Sequence, residues 1–265
     1  VGLSLAEWMI DGEPSIDVWA MDVARFGEFA TPDWGTVKST ENYERRFVMT
    51  FPNETLPKGR VQKTTALHDR LVAKGARMDQ SFGLEHALWF ANGPEDAHED
   101  PSFERNRSHE YVAREVAAVR NAVGGIEIAN FAKHAFKGAG AHAYLNRILA
   151  GYIPHPGRLS LTPMLTPQGR LYGDLTIACL AEDHFMLVGS GSMQEAHRRW
   201  FEASLPSNVA YSNVSDLWHG IALSGPKSRD LLARICRDDV SDLALKFRDT
   251  RHCFVGGVPV ILNRI

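Results

Sequence analysis

Three apolar runs that follow one another near the middle of the chain constrain its fold more than any other feature. Leu159 to Leu165, Arg170 to Leu180 and Phe185 to Val188 are separated by the turn signals Pro167-Gln168-Gly169 and Glu182-Asp183. Runs of this length between such turns read as antiparallel strands with short connections. Helical patterns stand on both sides, so the expected class is α+β. In the second run the period-two rule puts Leu171, Gly173, Leu175, Ile177 and Cys179 on one face and Tyr172, Asp174, Thr176 and Ala178 on the other. Asp174 then shares its face with a phenol and a hydroxyl. A solvated outer face is the ordinary place for it, because Asp is seldom buried without a partner. If that face instead lines a pocket, the carboxylate could bind or polarise an amine nitrogen.

The remaining elements follow from spacing and punctuation. Leu5, Ala6, Met9 and Ile10 recur as on a helix, which Gly12 and Pro14 end, and Ile16 to Phe26 begins a second short helical piece. Pro32-Asp33-Trp34-Gly35 reads as a turn-rich break, followed by a polar helix through Tyr43 to Arg46 and a strand over Ala76 to Phe82. A boundary is expected in Asn92 to Pro101. Beyond it Ser108 to Val123 reads as an amphipathic helix, Ile126 to Phe136 as a strand and Gly140 to Leu149 as a helix. Ser192 with Glu195 three positions on forms a capping box for a helix through Trp200. Gly225-Pro226 opens another helix, and Gly256-Gly257 turns a closing hairpin.

Composition excludes more than it names. The net charge of -3 comes with Lys and Arg spread along the chain, so no basic block offers a footprint for nucleic acid. No apolar run is long enough to span a membrane, and no secretory leader opens the chain. Cys179, Cys236 and Cys253 are too few and too scattered for a disulfide framework or a C-x-x-C zinc site, which suits a reducing, cytoplasmic compartment. They read as buried small residues. The chain opens with Val1 and stops at Ile265 inside an apolar run, so both ends are expected to be internal to a longer protein.

Several catalytic motifs fail on inspection. Gly189-Ser190-Gly191 lacks the third glycine of a dinucleotide fingerprint, where Gln194 stands, and follows a hairpin rather than opening a βαβ unit. A tight strand-to-helix connection accounts for it. His109-Glu110 begins a metalloprotease-like string, but Ala113 occupies the second histidine's place, and no metal is expected. Ser190 has no assignable His and acid partners for a hydrolase.

Other strings carry a resemblance. Gly169-Arg170-Leu171-Tyr172-Gly173-Asp174-Leu175-Thr176, then Phe185 to Gly191, then Ile221-Ala222-Leu223-Ser224-Gly225-Pro226 resemble the folate domain of glycine-cleavage aminomethyltransferases. Leu5 to Pro14, Asp17-Val18-Trp19 and Ser81-Phe82-Gly83-Leu84-Glu85-His86 resemble the join between flavin and folate halves of sarcosine and dimethylglycine dehydrogenases. The strings run in the family's order along essentially the whole chain.

The resemblance implies three regions: 1–29 as the tail of an FAD-dependent oxidoreductase domain, 30–93 as a connecting region, and 94–265 as a truncated aminomethyltransferase-like folate-binding domain. It implies an FAD-dependent enzyme that oxidises a small N-methyl amine such as sarcosine or dimethylglycine, with the one-carbon unit captured on tetrahydrofolate as 5,10-methylenetetrahydrofolate. Oxygen and a protein carrier both stay open as electron acceptor. By the same matching Asp174 resembles the catalytic carboxylate that activates the folate nitrogen, and Phe131, Thr162, Val188 and Ser190 fall on positions lining the folate pocket. The family's FAD fingerprint and its pterin-anchoring glutamate are expected outside these residues, and Leu161 stands where aminomethyltransferases carry an aromatic. Related architectures leave two further readings open: a flavin-independent, folate-dependent demethylase or aminomethyltransferase, and a non-catalytic regulatory subunit.

Overall fold

The computed structural model describes residues 1–265. Helix α1 (Gly2–Asp11) stops at Gly12, whose φ of 79° is a left-handed conformation that glycine adopts without steric cost. The expected second helical piece is present only as two 3-10 turns, Trp19–Met21 and Val23–Phe26. Pro32 to Gly35 is a helix start rather than a break. Thr31 Oγ1 accepts the Trp34 N–H at 3.2 Å, and Pro32 occupies the first turn of α2 (Pro32–Glu44), where a missing N–H costs nothing. A short helix α3 (His68–Ala73) leads into the hairpin β1 (Ala76–Ser81) and β2 (Leu84–Phe90). Beneath that hairpin the Glu85 carboxylate, 1% exposed, pairs with the Arg60 guanidinium.

Helix α4 (Ser108–Asn121) precedes what the apolar pattern presents as one strand over Ile126 to Phe136. Two strands in different sheets form instead: β3 (Gly124–Glu127) and β4 (Ala132–Lys137), with a turn through Ile128 to Phe131 between them. Helix α5 (Ala141–Ile148) follows, then the meander β5 (Leu159–Leu165), β6 (Leu171–Ala181) and β7 (His184–Gly189). Helix α6 (Gln194–Glu202) has no side-chain cap: Ser192 bonds Ser190 at 2.8 Å and Glu195 pairs with Arg198, so the capping box is not made. Strands β8 (Ala210–Asn213) and β9 (Ile221–Ser224) come next, and β9 pairs with β3. Helix α7 (Ser228–Ile235) begins two residues beyond Pro226, which therefore lies before the first turn and not in it. Strands β10 (Thr250–Val255) and β11 (Val258–Asn263) close through Gly256 and Gly257, both at positive φ as a tight hairpin turn requires.

The central sheet is antiparallel, in the order β5-β6-β7-β4-β8. One face carries Phe136, Met164, Leu175, Ile177, Phe185 and Leu187, and these pack against Tyr144, Leu145 and Phe201 of α5 and α6. Leu175, Ile177 and Cys179 of β6 therefore face this core, as their alternation anticipates. Tyr172 departs from the pattern. The pairing shifts from Met164↔Gly173 to Leu165↔Leu171, which leaves Tyr172 as the extra residue of a bulge. Its ring turns to α6, with centroids 4.7 Å from Trp200 and 5.9 Å from His197.

His197, 1% exposed, lies directly under β6. A Cβ on Gly173 would stand 2.5 Å from its Nε2. Gly173→Ala is expected to overpack this contact and lower stability by about 1–3 kcal/mol. A urea melt of variant against wild type, with the slope unchanged, measures it.

Candidate functional site: the open end of the sheet's outer face

Side chains paired across antiparallel strands project to the same side, so the register maps the face opposite the core directly. One row runs Leu159–Ala178–Met186, and it is buried at 4%, 4% and 8% exposure. There β10 lies against β6, and the Arg248 guanidinium donates to the Leu159 carbonyl at 3.1 Å. The next row on the same face, Leu161–Thr176–Val188–Lys133, starts with an exposed Leu161 and passes through half-buried Thr176 and Val188. Asp174, opposite Pro163, comes one step further out and is exposed. The face thus goes from covered to open within a single pleat, leaving a ledge with a carboxylate on it.

Four of the five residues expected at the folate pocket lie toward this end of the sheet. Asp174 and Val188 share the face, Ser190 stands exposed just past the end of β7, and Phe131, 42% exposed, stands just before β4. Thr162 does not join them. It projects into the other face, is fully buried, and accepts the Gly151 N–H on its Oγ1 at 3.1 Å. Its hydroxyl ties β5 to the segment after α5. Tyr172, read as a neighbour of Asp174, is also on the far side because of the bulge.

Lys133 belongs to the ledge and escapes sequence reasoning, since a lysine in a strand reads as solvated. It is 5% exposed. Its Nζ donates to the carbonyls of Ala129 at 3.0 Å and Phe131 at 2.7 Å, and its own N–H donates to Ser215 Oγ at 2.9 Å. The ammonium therefore holds the turn that presents Phe131. Burial brings its pKa down to about 8, with the Asp216 carboxylate opposing the shift. Phe131 also borders a small cleft with Lys63, Phe82, Gln194 and Asp216.

The glycines at the end of β7 serve packing. A Cβ on Gly191 would stand 2.0 Å from the Asn130 carbonyl, and one on Gly189 would stand 2.3 Å from Leu175. With both approaches filled by protein, that turn has no cradle for a pyrophosphate.

Beneath the ledge two histidines share the core. His134 is fully buried and shares a hydrogen bond with the Tyr211 hydroxyl at 2.9 Å, while His197 Nε2 lies 3.4 Å from the Tyr172 carbonyl. Burial lowers both pKa values, that of His134 to about 3. Both rings are therefore neutral at pH 7.

A model of the GCVT N-terminal domain matches residues 67–265, and one of the FAD dependent oxidoreductase central domain matches residues 11–65. The mouse (Mus musculus) mitochondrial dimethylglycine dehydrogenase is 32% identical over 270 residues, which is 100% of this chain and 31% of that protein. Human (Homo sapiens) mitochondrial sarcosine dehydrogenase is 25% identical over 93% of this chain and 32% of its own length. The glycine cleavage system aminomethyltransferase T of Bartonella henselae has the same fold, with a TM-score of 0.55 and 20% identity over 71% of this chain and 47% of that one. The chain belongs to the GCVT N-terminal domain family, whose model covers residues 67–265, and this domain follows a match to the FAD dependent oxidoreductase central domain over residues 11–65. It spans about a third of the length of these curated relatives, at 31% and 32%.

The histidines generate a pH prediction. A histidine whose folded pKa lies below its unfolded value of 6.5 contributes stability that is complete above 6.5 and is lost as pH falls toward about 3. Stability to urea is expected to fall from pH 7 to pH 5, and to fall less steeply in His134→Asn. A flat wild-type profile over that range would contradict neutral burial.

Proposed function

We propose that the chain is part of an FAD-dependent N-methylglycine dehydrogenase or oxidase whose folate domain captures the one-carbon unit on tetrahydrofolate as 5,10-methylenetetrahydrofolate. What supports the reading is the match of residues 67–265 to the GCVT N-terminal domain and the 32% identity to a dimethylglycine dehydrogenase, with Asp174 at the strand position that the resemblance gives the catalytic carboxylate, exposed on the open ledge near Thr176 and Val188. An apolar strip with an aromatic at its edge and one carboxylate suits a flat heteroaromatic ring that carries N–H groups. Phe131 and Val188 would wall the ring, Ser190 would offer a hydroxyl, and Asp174 would hold and deprotonate the attacking nitrogen.

Bound flavin would supply the two-electron oxidation of the N-methyl amine to an iminium; no residue of this chain is assigned to it. The chain's own contribution is then orientation and proton transfer. Asp174 would take the proton that one folate nitrogen loses on adding to the iminium carbon, and would return it to the amine as the C–N bond breaks and the second folate nitrogen closes the methylene bridge, its own proton leaving with the amine. The cytoplasmic placement read from the thiols belongs to the same proposal, and fractionation tests it against relatives named as mitochondrial.

A second reading has an observation behind it: the mouse pyruvate dehydrogenase phosphatase regulatory subunit is 28% identical over 88% of this chain. One experiment separates the two. The intact protein is expected to carry a flavin absorbance that sarcosine or dimethylglycine bleaches, and to bind tetrahydrofolate in calorimetry. Asp174→Ala should retain folate binding while methylene transfer falls ~10²-fold or more, the scale of a lost acid–base group. No bleaching by any N-methyl amine would favour the regulatory reading, and full transfer in the variant would remove Asp174 from the chemistry.

A further inference from the structure

The three cysteines are scattered in sequence, but the fold brings two of them together with a carboxylate. Cys236 is the residue after α7, extended at φ -98°, and it forms an antiparallel bridge with Val255 of β10. The Gly256 N–H donates to the Ile235 carbonyl at 2.7 Å, which clamps the end of α7 along the hairpin edge. This crossing sets Cys236 beside Cys253, which β10 buries to 5% exposure. Asp238, two residues on, turns back over the pair. Its Oδ2 lies 4.0 Å from Cys236 Sγ and 3.4 Å from the Phe254 N–H. The two sulfurs and the carboxylate oxygen all lie within 4.8 Å of one another, and both thiols are free.

We propose that Cys236, Asp238 and Cys253 bind one Zn²⁺ ion, which staples the end of α7 to the β10–β11 hairpin. Two thiolates on a tetrahedral zinc stand about 3.8 Å apart, given Zn–S bonds of about 2.3 Å, close to the 4.8 Å within which these three atoms already lie. A donor set of two soft sulfurs and a single hard oxygen selects zinc over magnesium or calcium, which demand several oxygens. Asp238 is exposed, and that side leaves the fourth position to water. Binding displaces the thiol protons. Affinity therefore rises with pH. The site is separate from the ledge that carries Asp174, and it has no part in the one-carbon reaction proposed above.

The test uses the intact protein, reduced with a phosphine, stripped with a chelator and desalted. Titration with Co²⁺, recorded as a difference against the same metal-free sample, is expected to give a thiolate-to-metal charge-transfer band that saturates at one equivalent and is displaced by Zn²⁺. Zn²⁺ is expected to raise Tm. Cys236→Ser and the exposed Asp238→Asn are each expected to weaken binding about a hundredfold, the upper end of losses seen even for groups behind a ligand. If Cys236→Ser does not fold, the wild-type spectrum and Asp238→Asn decide. Absence of the charge-transfer band at one equivalent, or Asp238→Asn binding as tightly as wild type, would overturn the site. So would a reduced, refolded protein whose Tm zinc leaves unchanged.

Discussion

Burial of Leu175, Ile177, Leu187 and Phe136 beneath α5 and α6 decides which face of the central sheet is left for chemistry. Successive side chains of a strand alternate, so a one-residue slip of β6 would put Asp174 into the core and Leu175 into water. An uncompensated carboxylate among Phe136, Phe185 and Phe201 would be far more costly than the exposure it now has. The same apolar contacts that hold the domain together thus aim its one candidate acid outward.

The outer face is made asymmetric by what sits on its ends. The β10–β11 hairpin covers the row through Ala178, while Lys133 and the turn through Ser215 bound the side toward β4. Between them Thr176 and Val188 are half-covered and Asp174 is free. The Lys133 ammonium donates to two backbone carbonyls of the turn, an arrangement that fixes the backbone at Phe131. The histidines under β6 add a second, neutral layer behind the ledge.

Much of this was legible in the sequence because it follows from local periodicity. The meander from Leu159 to Gly189, the alternating core residues of β6 and the Gly256-Gly257 turn all express a period of two or a required positive φ. What was not legible depends on pairing between distant segments. No local signal marks Tyr172 as a bulge, since the shift is defined by its register against Met164 and Leu165. Ile126 to Phe136 reads as one strand because its apolar content is continuous, yet β3 pairs with β9 and β4 with β7 and β8. Thr162 was misplaced for the same reason: similarity gives a position along β5, whereas the pleat decides the side. Ser192 and Glu195 have the spacing of a capping box, but the serine is occupied by Ser190 and the glutamate by Arg198. Cys236 and Cys253 meet only because α7 folds back along β10.

The central claim is that the ledge bearing Asp174 is a folate surface, and a crystal structure of the intact protein soaked with tetrahydrofolate tests it most directly. The account predicts the pterin lying along Val188 and Phe131, with a ring nitrogen within hydrogen-bonding distance of the Asp174 carboxylate. Folate bound elsewhere, with Asp174 still facing bulk water, would contradict it.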